Sequence, residues 1–255
     1  MLRPGVRMPR SGKHRLVKRD NRFIQSLPRF NAGLGYPSPV AWVNAPTLHP
    51  SMAYAGGWAY HVKHALDMVW IAVFQAHSNQ HRILKGRMGR LFVRICWFHL
   101  AVLSLQSAWG RLAQLMATCL RDPNCRDPKC RKPGKPCPLS EERDVTPARV
   151  LRCLEFRKLA SPAEESFRAF LRDPKTKAVN KLANQLKHGE AVAWEGSEPV
   201  LVPDVRPSPN GKWDIFTMHR RQSRDLHKEI REVVRVYAAF IPVAESVIRE
   251  YAIGG

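Results

Sequence analysis

Apolar residues recur at three- and four-residue steps in two early stretches of the chain. Leu66, Val69, Trp70, Val73 and Phe74 predict a helix over 58–77. Leu91, Phe92, Ile95, Phe98 and Val102 predict a second over 91–119, interrupted by Arg94 and His99. Cys96 sits inside this apolar run and reads as a small buried residue. Ahead of both, Pro28, Pro37, Pro39, Pro46 and Pro50 recur too often for a long helix, so residues 1–57 read as an irregular arm.

Beyond residue 145 the pattern is more regular. Thr146-Pro147 offers an N-cap and a first helical proline, followed by Val150, Leu151, Leu154 and Leu159. Ser161-Pro162-Ala163-Glu164 matches a capping box ahead of Phe167, Phe170 and Leu171, and Asp173-Pro174 ends that helix. Val179, Leu182, Ala183 and Leu186 mark a third helix, closed by His188-Gly189. Then the period shortens. Val200-Leu201-Val202 and Trp213-Asp214-Ile215-Phe216 read as strands around the turn Pro207-Ser208-Pro209-Asn210-Gly211, and Ala191 to Trp194 as a third strand.

A last helix is expected from about His219. Leu226, Ile230, Val233, Val234, Tyr237, Phe240 and Ile241 form its apolar stripe, and Pro242 should kink it or begin another helix. That stripe must be buried, against the preceding helices or in self-association with a second copy. The expected fold class is mainly α with a small antiparallel β element, an α+β unit over 146–255. The N-terminal half is irregular plus one or two apolar helices over 58–118, and a Cys- and Pro-rich basic loop spans 119–145.

Charge divides the chain differently. The 255 residues hold 42 Lys+Arg against 21 Asp+Glu, a net charge of +21 that favours an anionic partner. Residues 1–115 carry 16 of the basic residues and two acids, Asp20 and Asp67, and the first Glu of the chain is Glu141. Three readings of that imbalance stand. The first 115 residues form a basic arm plus a domain for an anionic surface, or a targeting segment, or an extension upstream of a start at Met116. Residues from about 146 onward are expected to fold without them. No short apolar region of a secretory signal follows the basic start, so a cytoplasmic location is expected. No uninterrupted apolar run reaches the length of an ordinary spanning helix.

Cys119, Cys125, Cys130 and Cys137 fall within 19 residues, each of the last three closing a short proline-bearing unit. Four thiolates that converge would satisfy tetrahedral zinc, and Arg131 and Lys132 would offset their charge. No Cys-x-x-Cys knuckle is present, so disulfides and ordinary thiols compete with zinc, and Cys153 could replace one ligand. Arg220, Arg221, Arg224 and Lys228 cluster near the start of the last helix, where an anion would be welcome. The chain has no GxSxG, Walker A, GxGxxG or HExxH pattern. The residues therefore point to a small basic non-enzymatic binding protein that contacts nucleic acid through Arg220, Arg221, Arg224, Lys228, Arg131 and Lys132. The alternatives are a structural or assembly protein of a virus or mobile element, and a peripheral membrane protein with Arg82, Lys85, Arg87 and Arg90 toward the headgroups.

Overall fold

The computed structural model describes residues 50–78, 86–120, 145–157, 161–190, 192–197, 201–207, 213–220 and 222–254. The two N-terminal helices are longer than the apolar spacing suggests: α1 spans Pro50–His77 and α2 spans Gly86–Leu120. The arm expected to run to residue 57 gives way to helix at Pro50, because proline is favourable at a helix start, where its missing N–H has no intrahelical partner.

The buried seam of α1 runs Ala55, Ala59, Val62, Leu66, Val69, Val73, Ala76, alternating steps of four and three. On α2 the same alternation gives Phe98, Val102, Leu105, Trp109, Leu112 and Met116. Such spacing keeps one stripe facing a partner helix, and the alanines of α1 let the backbones approach. Arg94 Nε donates to the Ala76 carbonyl (2.8 Å) and Arg111 Nη1 to the His61 carbonyl (2.9 Å), so the two helices run antiparallel. Ala101, Ala108 and Leu115 are buried as well, which makes the apolar surface of α2 wider than one seam. The rest of that surface is covered by α3 (Pro147–Arg157), α5 (Pro174–Lys187) and α6 (Leu226–Ile248).

Local capping sets where the short helices begin. Thr146 Oγ1 accepts from Arg149 N–H (3.3 Å) at the start of α3. At the start of α4 (Pro162–Arg172), Ser161 Oγ accepts from Glu164 N–H and Glu164 Oε2 accepts from Ser161 N–H, both at 3.2 Å, a complete capping box. The Asp173 carboxylate then accepts from Lys175 and Thr176 N–H (2.8 and 2.9 Å), so one residue closes α4 and opens α5. Gly189, at φ +69°, ends α5 in the left-handed region that glycine enters without a Cβ clash. Pro242 does not break α6, which continues to Ile248 and passes into a π-helical turn at Arg249–Gly254.

Three aromatic rings tie these elements together. Trp109 of α2, Phe170 of α4 and Phe240 of α6 meet with centroid separations of 5.7, 6.3 and 4.9 Å. Gln106 Nε2 adds a polar link, donating to Asn180 Oδ1 (2.7 Å) and Asn184 Oδ1 (2.8 Å) on α5. The apolar stripe of α6, including Ile230, Val233, Tyr237, Phe240 and Val247, is buried in this same core. One core therefore draws on both sides of the change in acid content.

The expected α+β class is corrected. Residues described down to their side chains are 87% helical, in six helices, with no strand among them. The backbone over Leu201–Pro207 (β1) and Trp213–Arg220 (β2) pairs as a two-stranded ribbon that makes no layer of the architecture. The physical reason is that α1 and α2 supply the apolar surface that a sheet would otherwise have to provide. The third strand expected at 191–194 reduces to a single bridge between Trp194 and Arg224. Cys96 is exposed rather than buried, and so is Phe92, because the inward stripe of α2 passes through Val93 and Phe98 instead. One described helix, α2, is long and apolar enough to cross a membrane by length and composition, and a soluble core helix meets the same criterion.

Candidate functional site

The basic cluster expected on the last helix is redistributed. The helix begins at Leu226, not His219, because Asp225 is its N-cap: the carboxylate accepts from His227 N–H (2.8 Å) and Lys228 N–H (3.3 Å). Arg220 is the last residue of β2, and Arg221 lies outside the described residues. Arg224 donates from Nη1 to Glu229 Oε1 at 3.2 Å and is already paired. Of the expected four, only Lys228 is on the first turn of α6, and it is exposed.

Arg131, Lys132, Cys125, Cys130 and Cys137 also lie outside the described residues. Cys119 stands near the end of α2, where its thiol donates to the Tyr251 carbonyl (3.4 Å). Burial pushes that thiol's pKa up, the opposite of what a metal-bound thiolate requires. Cys153 is buried in α3. No group of three or more potential metal ligands occurs among the described residues. The zinc reading therefore rests on the spacing of the cysteines alone.

A cationic face absent from the sequence expectations is built by α5. Its 14 residues contain no acid, and Lys175, Lys177, Lys181 and Lys187 are exposed. Thr176, Val179, Leu182 and Ala183 take the buried side, so the lysines are left to solvent by the same periodicity that packs the helix. Lys177 and Lys181 line a shallow depression of about 440 Å³ together with Asn180, Asn184, Gln185, His188 and the carboxylate of Glu190. The amide oxygens of Asn180 and Asn184 are taken by Gln106, which leaves their NH₂ groups as donors. None of the four lysines forms an ion pair among the described residues, whereas Arg168 and Arg172 of α4 share Glu155, and Lys63 pairs with Asp67. The signal was present in the sequence as a 14-residue helix without Asp or Glu.

Buried cations elsewhere are structural. Arg94, at 8% exposure, joins the Ala76 carbonyl of α1 to His227, with Nη2 lying 3.4 Å from Nδ1 and 3.3 Å from Nε2 of that ring. Arginine can only donate and a neutral imidazole has one unprotonated nitrogen, so at most one of these two ring nitrogens accepts. Burial first, and then the neighbouring Arg94, lower the His227 pKa, with Asp225 opposing. Burial also lowers the pKa of His99 and, with Arg111 and His64, that of His61. A histidine whose folded pKa lies below its unfolded value of about 6.5 binds its proton more readily when unfolded. The stability these histidines contribute is therefore present above about 6.5 and is lost as pH falls from there through their lowered folded pKa values. The expected result is a melting temperature that drops between pH 7.5 and pH 5.5; a flat or rising profile would refute it.

No known protein family, characterised protein or solved structure matches this chain.

Proposed function

We propose that this is a non-enzymatic binding protein that contacts the sugar-phosphate backbone of nucleic acid, with α5 as its principal contact face. The observation that carries the reading is the exposed pair Lys177 and Lys181, four residues apart on the acid-free helix α5, beside two asparagine donors. Lysine is a point-charge phosphate binder, and amide donors add hydrogen bonds to phosphate oxygens without reading sequence. The net charge of +21 supports the same partner class. The basic residues of the Cys-rich loop, with Arg220 and Arg221, would extend the contact. The test is a salt titration of DNA and RNA binding by the full chain. Each phosphate contact contributes about 0.9 to the slope of log K against log salt. Lys177→Ala with Lys181→Ala should therefore weaken binding at low salt and flatten the slope by about 1.8. An unchanged slope would remove α5 from the interface.

A second reading keeps one observation of its own. Met88 and Phe92 are 51% and 60% exposed on α2, beside Arg87 and Arg90. Apolar side chains flanked by cations suit a membrane surface, and vesicle flotation separates this reading from the first.

A further inference from the structure

The start of α2 and the start of α6 enclose a cleft of about 640 Å³ whose lining includes Arg87, Arg90, Arg94, Glu195, Asp225 and His227. We infer that this cleft is a binding site for a phosphate group, held by the guanidinium groups of Arg87 and Arg90, with the core-anchored Arg94 adding positive charge at its wall. The inference does not depend on the α5 reading, since the two faces share no residue.

Steps of three and four residues put Arg87, Arg90 and Arg94 on one side of α2. Like charges at that spacing repel, and the first turn of α2 holds no acid to offset its positive helix end. Such an arrangement disfavours the free protein and is relieved by an anion in the cleft. Arg94 is fixed in place by the Ala76 carbonyl, while Arg87 and Arg90 are exposed and free to close on a ligand. Arginine meets phosphate through two parallel N–H bonds, a geometry that lysine lacks.

The carboxylates offset this charge only in part, since three guanidinium groups face two carboxylates in the lining. Asp225 is engaged by the His227 and Lys228 N–H groups, so it caps α6 and also leaves those amides unable to bind the ligand themselves. The side chains must then supply the contacts. Glu195 is the second carboxylate, opposing the guanidiniums from the turn at Trp194–Ser197. The volume fits a small ligand site, and it would equally admit the terminal phosphate of a nucleic-acid strand.

The experiment uses the full chain with two probes. In the first arm, pyrophosphate is titrated by calorimetry. Saturable binding that falls at least about tenfold in Arg87→Ala with Arg90→Ala, and tightens in Glu195→Gln, supports a phosphorylated small molecule as the occupant. In the second arm, a 5′-phosphorylated oligonucleotide is compared with its 5′-hydroxyl twin. A preference of about tenfold for the phosphorylated strand, lost in the same double variant, supports a strand end. Arg87 and Arg90 are exposed, so the double variant should melt like the parent. Arg94 is left intact because it is part of the core. Absence of saturable pyrophosphate binding together with equal affinity for both strands would overturn the inference, as would binding that is unchanged in the double variant. The α5 variant Lys177→Ala with Lys181→Ala should leave the pyrophosphate isotherm unchanged, which keeps failure of this site distinct from failure of the α5 face.

Discussion

Phe240→Asp is expected to abolish the cooperative thermal transition of the full chain. Phe240 is 0% exposed and lies against Phe170 on α4 and Trp109 on α2. Truncating a buried Phe costs about 3–5 kcal/mol from lost burial and the cavity left behind. Aspartate adds an unpaired carboxylate with no described cation among the rings it would face, and such a group is costly or must take up a proton. The sum is comparable with the whole stability of a typical domain, about 5–15 kcal/mol. Phe240→Leu, which keeps an apolar group of similar reach, should cost only about 1.5 kcal/mol and melt slightly earlier. Circular dichroism on both variants checks the result, and a Phe240→Asp melting temperature close to that of the parent would show that the three rings do not hold the core.

The second large effect concerns the fragment 116–255, which is expected to show no cooperative transition. Cutting there removes α1 and nearly all of α2. Phe170 and Phe240 lose Trp109, Asn180 and Asn184 lose Gln106, and the apolar sides of α3, α5 and α6 lose the helix they share. What remains would expose contiguous apolar surface and should bind a hydrophobic dye or aggregate. A sharp transition near that of the parent would instead show that the later helices close a core of their own, as the change in acid content suggests. Charge composition records what a surface does, whereas a folding unit is defined by what its interior shares.

The parts legible in the sequence were those decided within a few residues. Ser161 with Glu164, Asp173 with Pro174, and His188 with Gly189 announce helix ends because each cap is a local bond or a local backbone state. The start of α6 is equally local, yet the basic run from His219 to Arg224 fits a charged first turn as well as the Asp225 cap does. Faces were harder to read. Phe92 fits an apolar spacing with Leu91 and Ile95, but which side of α2 is covered depends on α3, α5 and α6. Leu201-Val202 and Trp213 to Phe216 do lie in paired backbone. They could not reveal that the core would be helical, since that depends on how much surface α1 and α2 bring. The contact between Arg94 and His227 joins residues 133 apart, beyond the reach of any spacing argument.

The order of the helices along the chain has a consequence for synthesis. α2 is finished at Leu120, but α6, which covers part of it, is complete only at Ile248, 128 residues later. At roughly 5–20 residues per second, translation leaves that apolar flank without its final cover for roughly 6–25 seconds. The hairpin of α1 and α2 can close early, since its two strands of contact are adjacent in the chain, but the opposite side of α2 stays greasy while the ribosome works through the Cys-rich loop and the three short helices. During that interval the uncovered apolar flank is a surface that a holding chaperone can mask.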